Sequence, residues 1–299
     1  MIVITGPTAT GKTNLAVNLA SKINGEIISA DSRQVYKNMN IGTGKDLDEY
    51  NINGLKINYH LIDIVEPGYE YNVFEFQNDF INSYNEIISK NKKPILCGGT
   101  GLYIESIIKG YRLINVPENI ELRNDLEKQS KEELISILTS YKKIHNTTDI
   151  TDINRLIRAI EIEKYNAENK AIKNDFPVIN PIIFAIDLDR EIIKNKIYKR
   201  LDFRLKNGMI EEVQMLLNSG VSADKLKFYG LEYKFVTQFI LKEISYNELL
   251  NNLNIAIRQF AKRQMTWFRK MEKNGVIINW IDGLMTLDEK LSFICNKIN

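Results

Sequence analysis

The chain has 299 residues, 44% of them hydrophobic, and a formal net charge of +2. This is long enough for a sizeable core in one large domain or in a domain with an insertion, and the near-neutral charge confines any polyanion binding to local patches. Its only two cysteines, Cys97 and Cys295, exclude a disulfide framework and a four-cysteine zinc site, and no apolar run reaches the length of a membrane span.

The β-branched run 2–5 leads straight into Gly6-Pro7-Thr8-Ala9-Thr10-Gly11-Lys12-Thr13. This fits G-x-x-x-x-G-K-[ST] between a strand and an amphipathic helix, the latter predicted over 14–22. Glycines at both ends let backbone N–H groups converge on phosphate oxygens, and the helix aims its positive dipole end at the same place. Lys12 reaches the outer phosphate, and the Thr13 hydroxyl is a magnesium ligand in such loops. A strand beginning at residue 2 leaves no room for a signal or transit peptide, so a cytoplasmic protein is expected.

A second strand is predicted over 26–30 and runs into Asp31-Ser32-Arg33-Gln34. Ligands in doubly wound sheets gather outside the carboxyl ends of strands. A carboxylate at Asp31 can therefore ligate a metal, orient a substrate or act as general base, or it can simply cap a turn. Further strands are predicted over 61–65 and 94–97, separated by a helix marked by Val73, Phe76, Phe80, Tyr84 and Ile87. The second of these strands ends in Cys97-Gly98-Gly99-Thr100-Gly101, where glycines allow close backbone approach or a tight turn. His60 and His145, the only histidines, lack partners at ligand spacing, which argues against a histidine metal site and a Ser-His-Asp triad.

Residues 112–180 read as helices only, over 120–128, 131–142 and 152–167, the last with Thr151 as its cap. A helical block between sheet strands implies an insertion, giving a core of 1–111 and 181–299 and an inserted domain of 112–180. Strands resume over 181–187 and 276–280. Arg200 and Arg204 lie four apart on the helix after the first of these. On the helix predicted over 255–273, Ile257, Phe260, Gln264, Trp267, Phe268 and Met271 share one side, with Arg258, Lys262, Arg269 and Lys273 opposite, flanked by Arg263 and Lys270. Such a basic stripe on a near-neutral chain suggests a polyanion, as do Arg155 and Arg158 beside Asn154 on the inserted helices. From the residues alone a small-molecule kinase, an NTPase and a transferase using a diphosphate all remain open.

The order of GPTATGKT, ADSRQVYKNMNIGTGK, HLIDI, GGTGLY, NRLIRAIEI, KFYGLEYK and RQFAKRQMTWF resembles that of the tRNA dimethylallyltransferases over nearly the whole chain. The resemblance implies an α/β fold: a P-loop NTPase-like, doubly wound parallel sheet with an inserted all-helical domain. It implies transfer of a dimethylallyl group from dimethylallyl diphosphate to the exocyclic amine of the adenosine 3′-adjacent to the tRNA anticodon. Carried over, Asp31 is the general base and Thr8 lines the reaction site. Gly6, Thr8, Ala9, Thr10, Gly11, Lys12, Thr13 and Arg200 hold the diphosphate, with magnesium on Thr13. The tRNA anticodon stem-loop falls to Asp31, Ser32, Arg33, Gln34, Thr100, Arg123, Asn154, Arg155, Arg158, Arg258, Lys262, Arg263 and Arg269. Neither a membrane nor an obligate protein partner is expected. Gly44 stands where that family commonly has Ala, and Tyr59 where it has a further His; neither is expected to touch the chemistry. The absence of a zinc-finger extension points to the bacterial type. Competing readings are an adenylate isopentenyltransferase, which would not need the basic stripe, and a P-loop kinase, which would not share the Asp31 motif.

Overall fold

The continuous apolar run of β1 (Ile2–Thr5) is buried on both faces, as a central strand of a parallel sheet requires. In the computed structural model, which describes residues 1–142, 152–169 and 176–298, β1 is followed by α1 (Lys12–Ile23) and β2 (Gly25–Ser29). A small hairpin of β3 (Asn51–Ile52) and β4 (Leu55–Lys56) precedes β5 (Tyr59–His60), α2 (Val73–Ser89), β6 (Lys93–Cys97) and α3 (Gly101–Ile108). Three helices follow, α4 (Ile120–Leu126), α5 (Lys131–Tyr141) and α6 (Ile153–Glu168). After β7 (Ile182–Asp187) come α7 (Arg190–Lys206), α8 (Met209–Asn218), α9 (Ala223–Phe228), α10 (Leu231–Ile240), α11 (Tyr246–Lys273), β8 (Ile278–Asp282) and α12 (Leu287–Ile298).

The main sheet has the order β5-β2-β6-β1-β7-β8, with every pairing parallel. Ile2 lies between Ile95 and Ile182, so β1 is central. Its carboxyl end, with those of β2 and β6, presents the three loops that the sequence singled out. One apolar core packs α1 and α12 on the sheet, with Leu15, Leu19, Phe184 and Ile294 inside. A second core is built by α7, α8, α10 and α11. On α7 it takes Ile193, Ile197, Leu201 and Leu205, every fourth residue, which leaves Arg200 and Arg204 together on the adjoining stripe.

The chain divides into two compact units, Met1–Tyr111 with Val178–Asn299, and Arg112–Pro177. The second has a core of its own, formed by Leu126, Leu134, Leu138, Leu156, Ile157 and Ile160. Its boundary stops short of the expected residue 180. Thr151 and His145 lie outside the described residues; the Asp152 side chain accepts from the Arg155 N–H at 2.9 Å and so caps α6.

The strand expected over 61–65 is not formed. Leu61 and Asp63 have φ of 61° and 56°, which breaks extended pairing, and only Val65 makes a lone parallel bridge, to Tyr36. The cause lies nearby: the buried Lys45 ammonium donates to Asp63 and to Asn40 Oδ1, the latter at 3.2 Å, and draws this segment into an irregular turn.

Candidate active site

Between β1 and α1 the loop closes on itself. The Thr10 hydroxyl donates to the Pro7 carbonyl at 2.9 Å, and Lys12 Nζ donates to the same oxygen at 2.8 Å. Gly6 has φ 140°, and a Cβ there would sit 2.8 Å from the Ile186 carbonyl oxygen, so β7 leaves room for glycine only. Ala9 is also left-handed, at φ 66°. Gly11, at φ 82°, precedes α1 and offers no side-chain cap, which keeps the first N–H groups of the helix available to an anion.

Two cations converge on this loop. Burial pulls the Lys12 ammonium down to about 8; Arg200 adds to the fall, while Cys97 and Asp31 oppose it. Burial, then the neighbouring Arg204, likewise pulls the Arg200 guanidinium down to about 10. Arg200 Nη2 donates to the Thr8 hydroxyl at 2.6 Å. Neither cation has an ion-pair partner within the described residues. Half-buried positive charge with no counter-ion among the described residues suits an anion. The Thr13 hydroxyl, in the first turn of α1, also has no partner among the described residues. A divalent cation would find one ligand in Thr13 and would take the rest from diphosphate and water.

Asp31 stands at the end of β2, half-exposed. Its Oδ1 accepts from the Arg33 N–H at 2.8 Å, a local turn that leaves its other oxygen free among the described residues. The next turn comes from β6. Gly98 approaches so closely that a Cβ would lie 2.3 Å from the Ala30 carbonyl oxygen. Thr100 N–H donates to that carbonyl at 3.1 Å, and Thr100 Oγ1 accepts from the Ser32 N–H at 3.1 Å. The Gly98–Thr100 segment is therefore the brace of the Asp31 turn, and Thr100 opens α3.

Thus Gly6 to Thr13, Asp31 to Gln34, Thr100 and Arg200 come together. Both ends of the Gln34 amide are engaged inside the protein, accepting from Ser29 Oγ at 2.9 Å and donating to the Gly44 carbonyl at 3.1 Å. The Arg33 guanidinium lies 5.6 Å from the ring centre of the exposed Phe228. In the second unit Arg123 and Arg158 both grip the buried Glu161, and Arg158 also donates to the Val116 carbonyl; Asn154 and Arg155 are exposed.

On α11, Lys262, Arg263, Arg269, Lys270 and Lys273 are exposed, but two expectations fail. Arg258 is half-buried and its Nε is enclosed without a partner, because it borders the buried Asn254 and Ala261 rather than the outer stripe. Phe260, expected inside, is 39% exposed, with the Arg263 guanidinium 5.9 Å from its ring centre.

Several site residues escaped sequence reasoning. Gln264, within the apolar face of α11, accepts from the Thr8 N–H at 2.9 Å and donates to the Gly99 carbonyl at 2.8 Å. A polar residue in an apolar stripe was the available signal. Gly44 also matters more than expected: it has φ 67°, and a Cβ there would meet Arg204 Nη2 at 2.9 Å. Arg204 Nη2 donates to both Asp46 carboxylate oxygens, at 2.8 and 3.0 Å, which fixes the loop whose carbonyl holds Gln34. Burial raises the carboxyl of Glu232, at the start of α10, against the pull of Arg200 and Arg204. Distance in sequence hid both groups.

Comparison with known proteins sets this geometry in a family. The sequence profile described as IPP transferase matches residues 34–271, and one described as isopentenyl transferase matches residues 1–66. A tRNA dimethylallyltransferase 2 of Bacteroides fragilis is 54% identical over 298 residues, covering 100% of this chain and 97% of the relative. The full-length tRNA isopentenylpyrophosphate transferase of Bacillus halodurans superposes with a TM-score of 0.73 at 31% identity, covering 99% of this chain and 94% of that one. A eukaryotic dimethylallyltransferase acting on tRNA shares the fold at a TM-score of 0.80 and 22% identity, covering 99% of this chain and 77% of that one.

Proposed function

The chain belongs to the tRNA dimethylallyltransferases, the IPP transferase family, and from that premise we propose that it prenylates the exocyclic amine of the adenosine 3′-adjacent to the tRNA anticodon. Dimethylallyl diphosphate is the donor and diphosphate the leaving group. The observation that carries this reading is the pairing of two cations that have no counter-ion among the described residues, Lys12 and Arg200, with a carboxylate, Asp31, at the neighbouring strand end.

In the reaction the allylic C–O bond breaks, its electron pair leaves with the diphosphate, and a new C–N bond forms to the amine. Lys12, Arg200 and the free N–H groups of α1 stabilise charge where it grows on the departing oxygens. Arginine suits this task because its planar fork matches two oxygens at once. The free oxygen of Asp31 takes the amine proton. Thr8, held by Arg200, lines the reacting carbon. A bound magnesium ion would offset part of the leaving group's charge. An RNA base acted on in this way is turned out of its stack.

The residues proposed to meet tRNA are, in the first unit, Ser32, Arg33 and Thr100 beside Asp31 and the exposed cations of α11; in the second unit, taken by itself, Asn154 and Arg155 are exposed and proposed for the same role. Gln34, Arg123, Arg158 and Arg258 serve mainly inside the protein, on the contacts described above. No helix among the described residues is long and apolar enough to cross a membrane.

The test is incubation with labelled dimethylallyl diphosphate and unmodified tRNA, with AMP as rival acceptor and ATP as competitor. Label should pass to tRNA, not to AMP, and excess ATP should not suppress transfer. Labelled AMP, or phosphate transfer from ATP, would overturn the reading.

A further inference from the structure

Gln264 is 7% exposed in the middle of the 28-residue helix α11, on its apolar side. Burying an amide there is unfavourable unless both of its ends are satisfied. Both are, by backbone groups of two different loops, Thr8 N–H on the diphosphate side and the Gly99 carbonyl on the acceptor side. The fit is tight: a Cβ at Gly99 would lie 2.4 Å from Gln264 Nε2, so the loop approaches the amide as closely as glycine allows.

The connection continues without a gap. Beyond Gly99, Thr100 accepts from Ser32 N–H, and Ser32 is bonded to Asp31. Before Thr8, the Arg200 guanidinium holds the Thr8 hydroxyl. One turn further along α11 the Trp267 ring rests on Gly101, where a Cβ would lie 2.5 Å from the indole. Helix α11 therefore grips the Gly99–Gly101 segment at two points and the diphosphate loop at one.

We propose that Gln264 is a positioning residue that couples the two half-sites, so that occupation of the diphosphate loop raises affinity for the acceptor at the Asp31 turn, and the reverse. This rests on the transfer reaction proposed above. A diphosphate on Lys12 and Arg200 loads Thr8, and Gln264 has no slack with which to absorb a shift of the Thr8 N–H. The alternatives for Gln264 are to move Gly99 with it or to leave a buried amide group unpaired. Moving Gly99 moves Thr100 and hence the turn carrying the base. The coupling free energy between the two half-sites is the quantity to measure.

The experiment measures the dissociation constant of inorganic diphosphate with and without unmodified tRNA, on the full chain. Transfer to tRNA is assayed in parallel. The intact protein should bind diphosphate at least about fivefold more tightly with tRNA present, and by linkage diphosphate should tighten tRNA by the same factor. In Gln264→Met that factor should fall to about one and transfer should slow by about tenfold or more, with each separate dissociation constant within about twofold. Thr100→Val cuts the path at a different bond and should also uncouple, which decides the matter if Gln264→Met does not fold. A coupling factor of one in the intact protein, or one unchanged in a folded Gln264→Met, overturns the proposal. If the intact protein transfers nothing to tRNA, the reaction itself is misassigned; transfer without coupling refutes the coupling alone.

Discussion

Lys12 gives the clearest residue-scale consequence. Its ammonium, lowered to about 8 chiefly by burial, is charged below that pH in the free protein and neutral above it. A diphosphate beside it favours the charged form. For dimethylallyl diphosphate, kcat/KM, which reports the free protein, should hold steady up to about pH 8 and fall above it, while the corresponding limb of kcat shifts to higher pH. A kcat/KM profile that stays level to pH 9.5 would contradict this. Asp31 calls for a different measurement. Asp31→Asn keeps the turn geometry and removes the proton acceptor, so transfer should fall by about 10²–10⁴-fold while diphosphate affinity holds. Near-normal turnover would remove Asp31 from the mechanism. Both positions stand out in the sequence, Lys12 through the glycine-flanked loop motif between β1 and α1 and Asp31 through its place just past β2. The contact of Arg204 with Asp46 beside Gly44, and the place of Glu232, were not legible there, since they depend on segments that only the tertiary fold brings together.

At the scale of the element, α11 does two jobs on opposite faces. Ser245 and Glu248 open it with a reciprocal capping box, and Leu253, Ile257, Phe268 and Met271 anchor it in the core. Its outer cations remain free to meet phosphates. Replacing Lys262, Arg269 and Lys273 by Gln should weaken tRNA binding and reduce the dependence of log affinity on log salt by about two to three units, at about 0.9 per phosphate neutralised in duplex. Diphosphate binding should not change. An unaltered salt slope would make the stripe an ordinary solvated face. Periodicity revealed the helix and its stripe, but not the positions of Arg258 and Phe260. A wheel assigns angles, whereas burial depends on which neighbours arrive: Trp267 closes on Gly101, while Phe260 is left outside under Arg263.

For the molecule as a whole, the alternation of apolar strands and periodic helices was readable because parallel strands buried on both faces carry long β-branched runs. The failure over 61–65 shows the limit: Leu61 and Ile62 are buried there, yet Lys45 and Asp63 impose an irregular path that no local pattern announces. Stability draws on a similar hidden charge. Glu26, at the start of β2, is pushed up by burial but pulled further down by Lys92, Asn58 and His60, to about 2. Its folded value lies below the ordinary 4.5, so its stabilisation is present above that pH and is lost as pH falls from about 4.5 to 2. Glu26→Gln should lower stability to denaturant at neutral pH and flatten the acid limb over that window. An acid limb as steep as that of the parent protein would show that Glu26 is not its source. The sheet order also bears on how the protein is made. Ile2 pairs with Ile182, and Thr8 waits for Gln264, so the diphosphate loop leaves the ribosome well before its central strand gains that neighbour. At about 5–20 residues per second the gap to β7 is on the order of ten to forty seconds. A nascent chain, or one cut short before α11, thus carries the phosphate-loop motif without the Gln264 contact that holds Thr8.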